Sequence, residues 1–375
     1  MISPKDMFDS LKRRGVGLYA GVPDSLLSSL SAYIEDNESK DLHVIAANEG
    51  NAVGLAVGHH LATGKVGVVY LQNSGLGNII NPLTSLADYD VYKIPMIFII
   101  GWRGEPGFKD EPQHVKQGRV MLEMLDALEM PYSVMSADSV LEDVLEETFD
   151  AVKNTNAPVA IVVKKGTFSS YKPGGNAQRP ESMKREVALS KILDVSSSED
   201  LFISTTGKTS RELFELRKAR NETPKDFLTV GGMGHTASIA AGVALGQPNK
   251  KIVCVDGDGS LLMHMGAVPI IGSLGLKNFT HILLNNGAHE SVGGQPTIAD
   301  NVDFKKISQA CGYSGYFVAS SEKEIEEIWP LVSAGMGCVL FEVKIAAGSR
   351  PDLGRPTKTP EENKIAFMEH ASANE

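Results

Sequence analysis

Two segments constrain this 375-residue chain more than any others: Val255-Asp256-Gly257-Asp258-Gly259-Ser260 and Leu283-Leu284-Asn285-Asn286. Each closes an apolar run, residues 251–255 and 279–284, that reads as a buried parallel strand. A helical pattern over residues 261–274 lies between them. Asp258 and Asn286 stand 28 positions apart, about the span of one β-α-β crossover. In a parallel sheet both would emerge at the carboxyl ends of strands, where open α/β folds bind ligands. A carboxylate and a carboxamide oxygen make a hard donor set suited to Mg²⁺, which shares its shell with phosphates and water. The glycines let backbone N–H groups and a helix N-terminus approach a diphosphate. Taken singly, the first segment is also a common tight turn and the second an ordinary loop. Their joint placement points to a metal–diphosphate site, with either asparagine of the pair as ligand.

The length exceeds one comfortable core and predicts two domains. A net charge of −10 weighs against a nucleic-acid surface and against anionic membranes, so an anionic substrate must be met by a local cluster of cations. Cys254, Cys311 and Cys338 are far apart and form no metal-ligand spacing, as expected of free thiols in a reducing cytosol. The first turn is charged (Lys5, Asp6), and no run reaches 18 apolar residues. Neither a secretory signal nor a membrane span is expected, and a cytoplasmic protein is.

Short apolar strands alternate with helical patterns along both halves. Strands are predicted at residues 17–19, 43–46, 66–71, 96–100 and 159–163, then at 201–204, 227–230, 251–255, 279–284 and 339–343. Helices are predicted at 49–63 and 122–129, among others. The polar, Pro- and Gly-rich stretch 171–184 reads as a linker. The fold class is therefore α/β, with two doubly wound parallel sheets in domains 1–170 and 185–375.

Several polar clusters stand at predicted strand ends. Glu49 opens a helix directly after a strand, which suits the helix dipole whatever else it does. Gly231-Gly232-Met233-Gly234 lies between a strand and a helix, where Met233 could equally be a core methionine. Thr206-Gly207-Lys208-Thr209-Ser210 also follows a strand and opens a helix, so its amides and hydroxyls could touch a diphosphate. Asp24 is an N-cap candidate. The loop from Arg103 to His114, which includes Lys109, is denser in charge than any other loop and is either solvated or functional.

The motifs GVPDSLL from Gly21, NEG from Asn48, QNSGLGN from Gln72, NPLTSLAD from Asn81 and GWRGEPGFKDEPQH from Gly101 occur in order. TGKTSREL from Thr206, GGMGH from Gly231 and NNGAHESVGGQPT from Asn285 continue the series. Over nearly its whole length the chain resembles the thiamine-diphosphate-dependent decarboxylases, in the branch acting on phosphonopyruvate, with the sulfopyruvate branch beside it. Most members carry a third domain between the two cofactor domains, and only a short linker stands there in this chain. Sulfopyruvate enzymes are commonly split into two subunits, so a single fused chain favours the phosphonate.

The resemblance implies thiamine diphosphate and Mg²⁺ as cofactors, with Asp258, Asn286 and the Ala288 carbonyl as metal ligands. It implies that Gly207, Thr209, Gly257, Gly259 and Ser260 lie along the diphosphate. Gly231 would accept from the pyrimidine amino group, and Met233 would wedge beneath the two rings. Glu49 would hydrogen-bond N1′ of the aminopyrimidine and promote removal of the C2 proton. The implied reaction is phosphonopyruvate to phosphonoacetaldehyde and CO₂. Asp24, Arg103, Lys109 and His114 would act on the substrate, and His289, Arg350 and Arg355 are further candidates for holding its anionic groups. A homo-oligomer is implied, each site joining the N-terminal domain of one subunit to the C-terminal domain of another. The alternative is a non-catalytic cofactor-binding subunit, against which Glu49 argues. An acetolactate-synthase-like carboligase is disfavoured by the missing middle domain.

Overall fold

Strands β1 (Val16–Gly21), β2 (His43–Ile45), β3 (Val66–Gln72), β4 (Met96–Gly101), β5 (Tyr132–Met135) and β6 (Val159–Val163) form one sheet in the order β2-β1-β3-β4-β6-β5. Strands β7 (Leu201–Ser204), β8 (Phe227–Leu228), β9 (Ile252–Gly257), β10 (Phe279–Asn285), β11 (Gly315–Ala319) and β12 (Val339–Lys344) form a second, in the order β8-β7-β9-β10-β12-β11. Every pairing in both sheets is parallel. Counted from its own first strand, each sheet has the same order, 2-1-3-4-6-5. The two halves are therefore one α/β design used twice.

This computed structural model describes residues 1–172, 174, 182–223, 225–335 and 337–372. The chain divides into two compact units, Met1–Asn176 with Val292–Gln295, and Ala177–Ser291 with Pro296–Glu375. Alternation along the strands of the first unit sends Leu18, Ala20, Val69, Leu71, Phe98 and Ile100 into one apolar cluster and Tyr19, Val68, Tyr70, Ile97 and Ile99 into another. Both faces of that sheet are thus covered, which is why its central strands read as continuous apolar runs. In the second unit Phe202, Val253, Val255, Ile282, Leu284 and Phe341 share a cluster by the same alternation.

The predicted linker is partly docked. The Tyr171 hydroxyl and the Gly174 backbone N–H both donate to Asp36, and the Tyr171 ring packs edge-on against Tyr33 in the first unit. At the other end, Ala346 N–H donates to the Met183 carbonyl in the second unit. Residues 173 and 175–181 lie outside the described residues.

Three expectations need correction. The helix expected over 122–129 is the helix Pro112–Ala127, so His114 stands in its first turn and not in the loop before it. The helix predicted over 261–274 is two helices, Asp258–Met263 and Ala267–Ser273. Pro269 explains the break, because it has no N–H to donate and its ring would strike the carbonyl one turn earlier. Strands β5 and β11 were not among those expected. Both are short edge strands with half-exposed residues; Ser133 interrupts β5, and the apolar run of β11 spans only 316–319. No helix among the described residues is long and apolar enough to cross a membrane.

Candidate active site

In the first unit, Glu49 is the first residue of the helix Glu49–Thr63. Asn48 caps that helix by accepting from Gly50 N–H at 2.8 Å, and Gly64 in a left-handed conformation ends it. Sitting at the end of β2 places the Glu49 side chain at the carboxyl edge of the sheet. Its carboxylate is buried and accepts from Asn78 Nδ2 at 2.7 Å. A Cβ on Gly75 would lie 2.3 Å from Glu49 Oε1, so glycine there leaves the room the carboxylate occupies. Burial pushes the Glu49 carboxyl up, and the Asn78 hydrogen bond only partly offsets it. The site thus shifts this glutamate toward its protonated form, the direction that suits a proton relay.

The remaining candidates of this unit follow β1, β3 and β4. Asp24 is fully buried and accepts from Gln72 Nε2 and from the N–H groups of Leu26 and Leu27. Burial raises its pKa against those donors and the nearby Arg103. Arg103 itself is paired: Nε and Nη2 both donate to Asp110, Nη1 donates to Ser25 Oγ, and its backbone exchanges hydrogen bonds with Asn73. Burial opposes ionisation of Asp110, yet Arg103 and two backbone N–H groups hold its carboxyl well below the usual range. Arg103 is thereby a fixed strut of the loop. Lys109 is exposed and makes no ion pair or hydrogen bond among the described residues. His114 is buried with Nδ1 unpartnered, and burial first, then Arg103, lowers its pKa.

In the second unit, β9 and β10 are parallel neighbours, with Gly257 opposite Leu284. That register sets Asp258 and Asn286 side by side just beyond the strand ends. Asp258 is buried; its carboxylate accepts from Thr297 Oγ1, and nearby backbone N–H groups favour its ionised form without outweighing burial. Asn285 points into the sheet, where its amide donates to Glu342 and its oxygen accepts from Gly287 N–H. Asn286 instead lies in the loop, its oxygen accepting from Ala288 N–H and its nitrogen donating to Glu290. This arrangement favours Asn286 over Asn285 as the ligand.

A diphosphate has matching donors around this loop. Gly207 has φ +92° and precedes the helix Lys208–Ala219; a Cβ on it would meet Ser291 Oγ at 3.1 Å. Thr209 lies buried in the first turn of that helix. Ser260 Oγ accepts from Thr205 Oγ1 and from Gly234 N–H, tying the Gly231–Gly234 turn to the strand end. Met233 is half-buried between Gly232 and Gly234, whose φ values are +64° and +86°. Gly259 packs against the His289 ring, 3.2 Å from its would-be Cβ. The residues fit a metal-bound diphosphate. Among the described residues no Lys, Arg or His pairs with the buried Asp258 carboxylate, which a cation would neutralise.

The cation candidates at the C-terminal side are weaker. Burial lowers the His289 pKa to about 4, so the ring is neutral near pH 7. Arg350 is held by Glu186, Glu215 and Asp352, and with Arg355 it lines a depression beside the helix Lys208–Ala219. The cysteines are free, but strand register brings Cys254, Asp256 and His281 together in the core, with Tyr313 hydroxyl on His281 Nδ1. Cysteine spacing along the chain carries no sign of that group.

Burial also pushes the Asp258 carboxyl up to about 6. A cation binds the ionised form, so protons compete with it below that pH and not above. If Mg²⁺ binds at this carboxylate, the concentration needed for diphosphate binding should rise about tenfold per pH unit below pH 6 and be flat from 7 to 8. Calorimetry at pH 5, 6, 7 and 8 checks this; an unchanged Mg²⁺ requirement at pH 5 contradicts it.

Residues 4–130 match the thiamine pyrophosphate enzyme N-terminal TPP binding domain, and residues 205–343 match the C-terminal TPP binding domain. Phosphonopyruvate decarboxylase of Streptomyces viridochromogenes is 36% identical, over 96% of this chain and 93% of that protein. The phosphonopyruvate decarboxylase of Streptomyces hygroscopicus is 34% identical, over 99% and 94%. Sulfopyruvate decarboxylase of Methanosarcina acetivorans is 27% identical over 98% of each chain. That last relative is one chain of matching length, so fusion of the two halves does not separate phosphonate from sulfonate enzymes, contrary to the expectation above. Both cofactor-binding domains and full-length likeness to these relatives are present, and the chain belongs to the thiamine pyrophosphate enzymes, in their decarboxylase family.

Proposed function

We propose that this protein decarboxylates 3-phosphonopyruvate to phosphonoacetaldehyde and CO₂, using thiamine diphosphate and Mg²⁺. The observation that carries the reading is identity of 34–36% along nearly the full chain to phosphonopyruvate decarboxylases, against 27% to the single-chain sulfopyruvate enzyme. Bound thiamine diphosphate supplies the electron sink for the pair released as CO₂ leaves. Asp258, Asn286 and the Ala288 carbonyl hold Mg²⁺. Gly207, Thr209, Gly257, Gly259 and Ser260 line the diphosphate, the Gly231 carbonyl accepts from the pyrimidine amino group, and Met233 supports the rings. Glu49 holds a proton at N1′. His114, kept neutral by burial and free at Nδ1, exchanges a proton at the substrate carbon. Asp24 fixes the turn that carries Leu26 and Leu27.

Homo-oligomers with sites shared between subunits are part of this proposal. One face of the helix Glu49–Thr63 supports it: Ala52, Val53, Ala56 and Val57 are buried on the sheet, while Gly54, Leu55, Gly58 and Leu61 are exposed. A second copy packing on small and apolar residues would cover that face.

Selection of a phosphonate by an acidic protein needs a local cation with charge to offer. Arg103 is paired to Asp110, so Lys109 is the better candidate on that loop. Charge-assisted hydrogen bonds contribute about 1.5–3 kcal/mol, so Lys109→Ala should reduce kcat/KM for phosphonopyruvate roughly 10- to 150-fold. Its effect on pyruvate, which lacks the second anionic group, should be much smaller. Arg103→Ala should harm both substrates alike, because it releases the loop. Parallel assays of phosphonopyruvate, sulfopyruvate and pyruvate check the whole reading, and a faster rate with sulfopyruvate overturns the choice of substrate.

A further inference from the structure

Glu290 is a buried-network residue that none of the roles above uses. It sits four residues beyond Asn286, in the loop that follows β10. Its Oε2 accepts from Asn286 Nδ2 at 3.1 Å and from Arg185 Nη1 at 2.9 Å, and its Oε1 accepts from Lys208 Nζ at 2.8 Å. Arg185 is in turn clamped by Glu212, Nε and Nη2 donating to the two carboxylate oxygens at 2.7 and 2.9 Å. Arg185 and Glu212 are both buried. Two cations thus face two carboxylates, and neither oxygen of Glu290 is without a donor. Such a closed set holds its members rigidly, because moving any one leaves a buried charge unmatched.

The chemistry of a carboxamide gives this rigidity a purpose. The two ends of an asparagine side chain have nearly the same shape, but only the oxygen can bind a cation. A half-turn of the amide would aim two N–H donors at the metal. A carboxylate has no proton to give, so whichever end of Asn286 faces Glu290 must be the nitrogen. We propose that Glu290 is a positioning residue for the metal site, fixing the Asn286 amide so that its oxygen is the end offered to Mg²⁺. Arg185 and Lys208 hold Glu290 in place for that task. Lys208 belongs to the TGKTS turn, yet the structure engages its ammonium with Glu290. This inference rests on the proposed ligand role of Asn286.

Partners beyond the ligand shell commonly matter 10- to 100-fold for metal affinity. The test is calorimetry of thiamine diphosphate binding across a Mg²⁺ series, which does not depend on turnover. Glu290→Gln keeps the shape but turns a donor toward Arg185 or Lys208. The Mg²⁺ midpoint for cofactor binding should rise about 10- to 100-fold, while saturating Mg²⁺ restores the wild-type binding stoichiometry. Adding Asn286→Asp should bring the midpoint back most of the way. Either oxygen of the introduced carboxylate can bind the cation, and the carboxamide introduced by Glu290→Gln can donate to the other. A role confined to stability would lower the melting temperature without that reciprocal rescue.

A Glu290→Gln protein with the wild-type midpoint, within about twofold, overturns the inference. Should that variant fail to fold, Lys208→Gln at the partly exposed end of the network decides. It should raise the midpoint by a smaller factor, and no change overturns the proposal. Wild-type protein that binds no thiamine diphosphate at any Mg²⁺ concentration would instead defeat the functional reading on which this rests.

Discussion

Asp258→Ala should yield a folded protein that no longer binds thiamine diphosphate with Mg²⁺ and whose decarboxylation is nearly abolished. Asp258 is the only charged ligand proposed for the cation, and β9 delivers it to the sheet edge already desolvated. Removing one partner of a buried charge pair costs about 3–5 kcal/mol, roughly a 10²- to 10⁴-fold loss of affinity. Added Mg²⁺ should rescue little, because the charge is gone and not merely displaced. The fold should survive, since among the described residues the Thr297 hydroxyl is the donor that loses its acceptor, while Gly287 N–H keeps Asn285. Calorimetry is the check, and unchanged cofactor affinity in Asp258→Ala contradicts the assignment.

The second large effect concerns the proton relay. Glu49→Gln preserves shape and can keep a hydrogen bond to Asn78, so cofactor should still bind with affinity within about tenfold of wild type. Exchange of the cofactor C2 proton for deuterium should slow by about 10²- to 10⁴-fold, the usual contribution of a positioned acid or base. The two inactive variants also test the shared site. In a mixed oligomer of Glu49→Gln and Asp258→Ala chains, one site carries both lesions and another carries neither. Recovery of activity after subunit exchange is expected; none after exchange has been verified contradicts sites built from two subunits.

How much of this could be read from the chain depends on which interactions set each feature. β3, β4, β6, β9 and β10 are central strands covered on both faces, and burial forces their apolar character onto consecutive residues. β5 and β11 sit at sheet edges and are only partly buried; Ser133 interrupts the four-residue β5, and β11 offers only a short apolar run at 316–319. The helix over 49–63 was legible to the residue because Asn48 and Gly64 cap it. The helix expected over 261–274 was not, because Pro269 interrupts an otherwise helical pattern.

At the candidate site the glycine turns and strand-end carboxylates carry a local signature, and their supporting partners do not. Asn78 meets Glu49 across 29 residues and Thr297 meets Asp258 across 39, pairings that only the sheet order brings about. Arg103 is paired within its own loop, seven residues along. Sequence shows a cation on a charged loop, whereas the structure shows that cation bound to Asp110.

Phosphorus NMR of the wild-type protein mixed with phosphonopyruvate tests the central claim most directly. With thiamine diphosphate and Mg²⁺ present, the substrate signal should convert to that of phosphonoacetaldehyde with one CO₂ released per molecule. Omitting either cofactor, after dialysis against chelator, should stop the conversion. An unchanged phosphonopyruvate signal from protein shown to bind thiamine diphosphate would contradict the account.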